Sequence, residues 1–133
     1  MNYFNSEGYR SPTEYEALKR LQCEEKRKKY RPLVYICSPF SKGGISENII
    51  NARRYCRYAL EQHCIPFAPH LLFPQFMNDS IKEERELAML MNRVFLSKCD
   101  EIWVFGSVAS SGMKREIRWA KRRKMNIRYI SEI

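Results

Sequence analysis

Glu116 stands in the run SSGMKREIRWA, residues 110–120, with Lys114, Arg115, Arg118 and Lys121 around it. A single carboxylate about one turn into a helix, behind a Ser/Gly-rich loop, has two readings. One is an ordinary first-turn glutamate, stabilised by the helix dipole and basic neighbours. The other is a reactive group at the mouth of a pocket. Its place four residues after Gly112 aims it back along the face that looks toward the loop. A second loop, CSPFSKGG (37–44), carries Ser38, Ser41, Lys42, Gly43 and Gly44 ahead of another helix. Ser107, Ser110, Ser111 and Gly112 do the same ahead of the Glu116 helix. Helix N-termini offer free N–H groups and a partial positive charge, and glycine lets an anion approach the main chain. Both loops therefore have the composition of phosphate receptors, and equally that of plain helix caps.

The elements that must position these residues follow from periodicity. Ser11-Pro12-Thr13-Glu14 is a helix start, with a capping serine and proline at the first helical position. Tyr15, Leu18 and Leu21 or Gln22 follow at helical spacing, which predicts a half-packed, half-solvated helix from Pro12 to about Lys29, stopped by Arg31-Pro32. LVYIC (33–37) is a short apolar run rich in β-branched and aromatic residues, suited to a strand buried on both faces. Ile49, Ala52, Cys56 and Ala59 stripe a helix over 46–62, and IPFA (65–68) is a second strand. PHLLFPQFMND (69–79) reads as irregular, with Asp79 as a helix cap. Ser80 and Glu83 read as a capping box opening a third amphipathic helix, with Leu87, Leu90 or Met91, and Val94 facing inward. EIWVF (101–105), a helix over 113–124 and IRYI (127–130) complete the chain, and Asp100 reads as the cap of a strand edge.

Strands alternating with helices predict an α/β, flavodoxin- or Rossmann-like three-layer sandwich, with a parallel sheet in order 2-1-3-4 and an extra N-terminal helix. Residues 1–31 form the helical extension and 32–133 the α/β domain. Ligands bind such sheets at the carboxyl ends of strands beside the topological switch, here between the first and third strands. The two Ser/Gly loops meet there.

Composition narrows the classes. A chain of 133 residues with 44% hydrophobic content suits one core. No apolar run is long enough for a bilayer, and the polar N-terminus lacks the apolar stretch of a signal peptide. Five cysteines without a CxxC pair, and only two histidines, argue against structural zinc and for a reduced, cytoplasmic protein without disulfides, metal or cofactor. The net charge of +9 favours anionic partners, although most of these charges fall at helix-surface spacing.

The strand VYICS with its GG loop, the strand CDEIWVFG and the helix start G-x-x-x-E-x-x-x-A together resemble the nucleoside 2-deoxyribosyltransferase superfamily, which includes the 2'-deoxynucleoside 5'-phosphate N-hydrolases. PLVYICSPF, APHLLFPQF and the SEGM-like helix start resemble an uncharacterised bacterial and phage branch. The resemblance covers roughly Pro32 to Ile130. It implies that Glu116 is a nucleophile attacking C1' of a sugar and that Tyr35 hydrogen-bonds it. It also implies that Ser110 and Lys42 contact a 5'-phosphate. Such a carboxylate displaces a nucleobase, forms a glycosyl-enzyme ester and is released by water or a second base. Phe73 and Phe76 would stack on the base and His70 hydrogen-bond it, or these residues pack a subunit interface. The superfamily's habit of assembly implies a homo-oligomer.

Two positions depart from that pattern. Asn92 stands where characterised members carry an aspartate, and an amide holds a hydroxyl but cannot act as a general acid. Arg118 replaces a glycine, and a cation there would lower the pKa of Glu116, fill the pocket or grip a phosphate. Cleavage or transfer at the N-glycosidic bond of a nucleoside or nucleotide is thus the first expectation. A non-catalytic nucleotide-binding or sensor module is the alternative. Nucleic-acid binding through KREIRWAKRRK ranks last, because its cations fall on several sides of the helix.

Overall fold

The computed structural model describes residues 12–131 and Ile133, apart from the side chains of Pro12 and of residues 26–28. These fall into two compact units, one ending at Tyr30 and the other running from Arg31 to Ile133. The expected cap Ser11 lies outside the described residues.

In the first unit, helix α1 spans Pro12–Lys29 with Glu14 in its first turn. Proline is preorganised for a first helical position, and the glutamate complements the dipole. Among the described side chains of α1 only Leu18 is partly buried, and Leu21 is 56% exposed.

The second unit is α/β. Its strands are β1 (Leu33–Cys37), β2 (Ile65–Phe67), β3 (Glu101–Phe105) and β4 (Asn126–Ile130). They form one parallel sheet in the order β2-β1-β3-β4. Helix α2 (Ile45–Glu61) follows β1, the short α3 (Pro69–Leu72) follows β2, α4 (Lys82–Lys98) precedes β3, and α5 (Ser111–Arg122) joins β3 to β4. The fold class is the one the alternation predicts. No helix among the described residues is long and apolar enough to cross a membrane.

Side-chain alternation splits the core between two faces. Val34, Ile36, Trp103 and Phe105 point one way, packing with Ala59, Cys64 and Ala68 and with the rings of Tyr55 and Tyr58. Tyr55 stacks on Phe105 with centroids 4.2 Å apart. Tyr35, Cys37, Ile102 and Val104 point the other way, against Leu96, Met113 and Ala120. Each of the larger aliphatic and phenylalanine side chains contributes roughly 1.5–3 kcal/mol on burial. Asp100 ties the strand starts together, its carboxylate accepting from the Leu33 amide at 2.8 Å while its own amide donates to the Leu33 carbonyl at 2.8 Å.

Three local expectations are corrected. The stretch after β2 is not irregular: α3 runs into a 3₁₀ turn over Phe73–Gln75. Proline at early positions of both pieces permits this, since its missing N–H costs nothing there. The capping box at Ser80 and the Asp79 cap are absent, because α4 is flanked by Ile81 with no side-chain cap. Ser80 instead gives its hydroxyl and amide to the Asn78 carboxamide oxygen, at 2.6 and 3.0 Å. That local turn competes with capping for the serine. Finally, Leu87, Leu90 and Val94 do not face inward. They are 49%, 58% and 50% exposed, while Asn92 and Leu96 are the buried residues of α4.

Candidate active site

At the β1/β3 switch point a cleft of about 550 Å³ opens between the loops after β1 and β3, α3 and the inner side of α4. Parallel strands leave their carboxyl ends free there, and the loops diverge on either side. The size is that of a small-molecule site.

Tyr35, third in β1, projects onto the α4/α5 side of the sheet and is fully buried. Glu116, in the second turn of α5, lies on the same side as Met113 and Ala120 and is 2% exposed, yet it lines the cleft. Burial pushes its pKa up from 4.5 to about 7, against the opposing pull of the Tyr35 hydroxyl. Burial, then the Glu116 charge, raises Tyr35 well above its ordinary value. Each group shifts the other, but the expected hydrogen bond between them is not formed: Tyr35 Oη and Glu116 Oε2 are both buried without a partner. Ser38 Oγ and Asn92 Oδ1 are also buried without a partner. Orphaned buried polar atoms each cost on the order of 1–3 kcal/mol. Three of these four residues, Ser38, Asn92 and Glu116, line one cleft. Such clustering marks a place prepared for a polar ligand.

The two Ser/Gly loops prove unlike. Ser110 caps α5, its hydroxyl accepting from the Met113 amide at 3.3 Å, while its own amide donates weakly to the Met113 sulfur at 3.5 Å. Ser111 and Gly112 follow on the cleft wall, and a Cβ built on Gly112 has nothing within 4 Å. The first turn of α5 is therefore open to an approaching anion. Ahead of α2, Gly43 and Gly44 adopt φ of 90° and 115°, which favours glycine. They turn the chain rather than line the cleft. The Asn48 amide pins this turn, donating to the carbonyls of Phe40 and Lys42 at 2.7 Å each. Lys42 and Ser41 do reach the wall.

Arg118 is corrected: it is exposed, lies outside the cleft and does not lower Glu116. At 3.6 residues per turn, two residues carry it about 200° round α5 from the glutamate. Arg115 lines the cleft instead, together with Arg85 from α4. Helical spacing carried the signal for Arg115, which stacks one turn below Ser111 and Gly112.

His70 lies on the wall, but its Nε2 is 2.9 Å from the Ser38 carbonyl. Burial lowers its pKa, the Ser38 bond and Asp79 opposing. It is a neutral ring donating through Nε2, with Nδ1 left as the acceptor. Phe73 lines the cleft, though it is wedged among Phe67, Phe76 and Phe95. Phe76 is 63% exposed and outside the cleft, so its expected stacking role fails. The 3₁₀ turn rotates it away. Phe40 takes the aromatic place, stacked on His70 at 5.1 Å, and only the fold reveals it.

The comparisons bear on kinship, not chemistry. No curated protein matches the chain. A family model described as a domain of unknown function (DUF7768) matches residues 32–130. That span takes in every strand, both Ser/Gly loops and the whole cleft wall, and leaves out α1. The chain belongs to the DUF7768 family.

Proposed function

We propose that this protein breaks the N-glycosidic bond of a nucleoside or nucleotide, by hydrolysis or transfer, with Glu116 as nucleophile. One observation carries the reading: a nearly inaccessible carboxylate with an orphaned oxygen, on the same side of the sheet as a buried tyrosine with an orphaned hydroxyl, on the wall of a 550 Å³ cleft. A purely structural glutamate would be solvated or paired. The resemblance of VYICS, CDEIWVFG and the Glu116 helix start to the nucleoside 2-deoxyribosyltransferase superfamily supplies the reaction class.

The ionised Glu116 attacks C1', the C1'–N bond breaks, and its electron pair leaves with the base nitrogen. A glycosyl ester on Glu116 results. Water or a second base then attacks C1', the ester bond breaks, and the carboxylate is restored. The Tyr35 hydroxyl steadies that carboxylate between steps. Ser38 and Asn92 offer their free oxygens to sugar hydroxyls. Lys42, Arg115 and the open first turn of α5 suit a phosphate.

Incubation with a panel of deoxynucleosides and deoxynucleotides, following base release, tests the proposal. Release from at least one is expected, and none from any member, with folded protein, refutes it. Asn92 favours a second reading, a nucleotide-binding or sensor module, because an amide cannot protonate a departing base. Calorimetric binding without turnover would select that reading.

A further inference from the structure

We infer that His70 is the general base of a hydrolytic second step. Its Nδ1 takes a proton from the water that attacks C1', so the site hydrolyses its glycosyl ester rather than passing the sugar to another nucleobase. This role rests on the proposed action of Glu116 as nucleophile.

Two displacements at one carbon fix where such a base must stand. Glu116 attacks C1' from one side, and the nucleobase leaves by the other. Water must then enter along the path the nucleobase has vacated, across the cleft from Glu116. The fold puts the two groups on opposite walls. Glu116 comes from α5 on the Tyr35 side of the sheet, with Met113 and Ala120. His70 comes from α3, where Ala68 and Leu71 on either side of it pack into the core of the other face, with Val34 and Phe105. Both groups line the one cleft.

The ring is held for that task. Nε2 lies 2.9 Å from the carbonyl of Ser38, the residue after β1, and the ring stacks on Phe40 with centroids 5.1 Å apart. A carbonyl only accepts, so Nε2 carries the hydrogen and Nδ1 the lone pair. Among the described residues nothing bonds to Nδ1. Burial lowers the pKa of the ring and favours the neutral form, which can take a proton. The other titratable groups of the cleft do not fit the role. Lys42, Arg85 and Arg115 are cations with no lone pair to offer. Asp79, Glu84 and Glu86 come from α4 or the turn before it, on the Glu116 side of the sheet. The Asp79 charge does bear on the ring and favours the imidazolium that forms.

The step balances. The water oxygen bonds to C1', one water proton passes to Nδ1, and the ester bond from C1' to Glu116 breaks with its electron pair kept by the carboxylate. The proton then passes from His70 through solvent to the nitrogen of the departed nucleobase. Free nucleobase and free sugar are the products.

Rapid mixing of the full chain with a deoxynucleoside or deoxynucleotide that the wild type cleaves tests this role. The variants are His70→Ala and His70→Asn, which keeps an N–H for the Ser38 carbonyl, each checked for folding by circular dichroism. Both should release a burst of nucleobase equal to the protein present, then turn over at least about 10²-fold more slowly than wild type. Intact-mass spectrometry should find them carrying the sugar. Azide, a nucleophile with no proton to lose, should restore their turnover by forming the glycosyl azide. With a second free nucleobase in excess, the wild type should still yield mainly free sugar. Folded variants that turn over as wild type does, or whose burst slows as much as their steady rate, overturn the role of His70 and leave that of Glu116 standing. So does a wild type that transfers the sugar to the added nucleobase ahead of water. If the wild type releases nucleobase from no substrate, Glu116 fails as nucleophile and His70 fails with it.

Discussion

α4 and α5 lie side by side on one face of the sheet, and each presents one buried polar residue, Asn92 or Glu116, to the same cleft. Their sequences convey this very differently. In α5 the apolar positions are few, so Met113, Ile117 and Ala120 mark the inner face without competition and Glu116 falls beside them. In α4 aliphatic residues lie on both sides. Counting the bulkier Leu87, Leu90 and Val94 as core turns the helix inside out. The buried side is built from Ala88, Met89, Asn92 and Leu96, smaller and more polar because it borders a cleft rather than solid core. Hydrophobic periodicity identifies a core face only where the inside is more apolar than the outside. Beside a ligand cleft, with an apolar stripe opposite, that condition fails.

The largest effect expected separates the two polar residues. Glu116→Gln keeps shape and removes the charge, so under the proposed mechanism base release should fall by roughly 10⁴-fold or more. The same variant should be more stable than wild type above neutral pH. The carboxyl of Glu116 has its folded pKa raised from 4.5 to about 7. The folded state therefore binds the proton more tightly, and stability is lost as pH rises between those values. Above pH 7 the cost reaches roughly 3 kcal/mol, which glutamine does not incur. Activity should run oppositely, rising with pH through about 7 as the carboxylate forms. Denaturant melts of both proteins from pH 5 to 8 check the sign. A variant no more stable than wild type at pH 8 would mean that Glu116 is solvated.

Next in size is the contrast along α4. Leu96 is fully buried, so Leu96→Ala should cost about 2–5 kcal/mol. Leu90→Ala, measured on dilute protein, should cost less than about 0.5 kcal/mol. Equal losses would restore the inward orientation of Leu90. Smaller again is the cap of α5. Ser110→Ala removes the hydroxyl that accepts from Met113 and should cost about 1 kcal/mol. No counterpart exists ahead of α2, where Gly44 offers no side chain. Loss of the Ser110 hydroxyl without loss of stability would show that the first turn of α5 is held from elsewhere.

Much of the architecture was legible because parallel strands buried on both faces leave nearly continuous apolar runs. LVYIC and EIWVF match β1 and β3 residue for residue. Glu116, Ser110 and Lys42 could be singled out because loop composition and helical spacing are local. What stayed hidden depends on the path of the chain in space. Phe40 comes onto His70 only when the loop after β1 meets α3, and Phe76 leaves the cleft only because α3 runs into a 3₁₀ turn. Sequence distance also misleads on the smallest scale, as Arg118 shows.

Arg118 gives the smallest effect and the sharpest control. It stands two residues from Glu116 in sequence but on the solvent side of α5. Water screens its charge there, and an exposed cation influences a carboxylate weakly at best. Arg118→Ala should leave the Glu116 titration, followed by carbon NMR of the carboxyl group, where it is in wild type. Nucleotide affinity should be equally unmoved. Arg115→Ala should weaken the binding of a phosphate-bearing ligand, since Arg115 is on the cleft wall. If Arg118→Ala instead raises the Glu116 titration, the exposed cation does reach the carboxyl. Burial would then not be what sets its pKa, and the two sides of α5 would not be electrically separate.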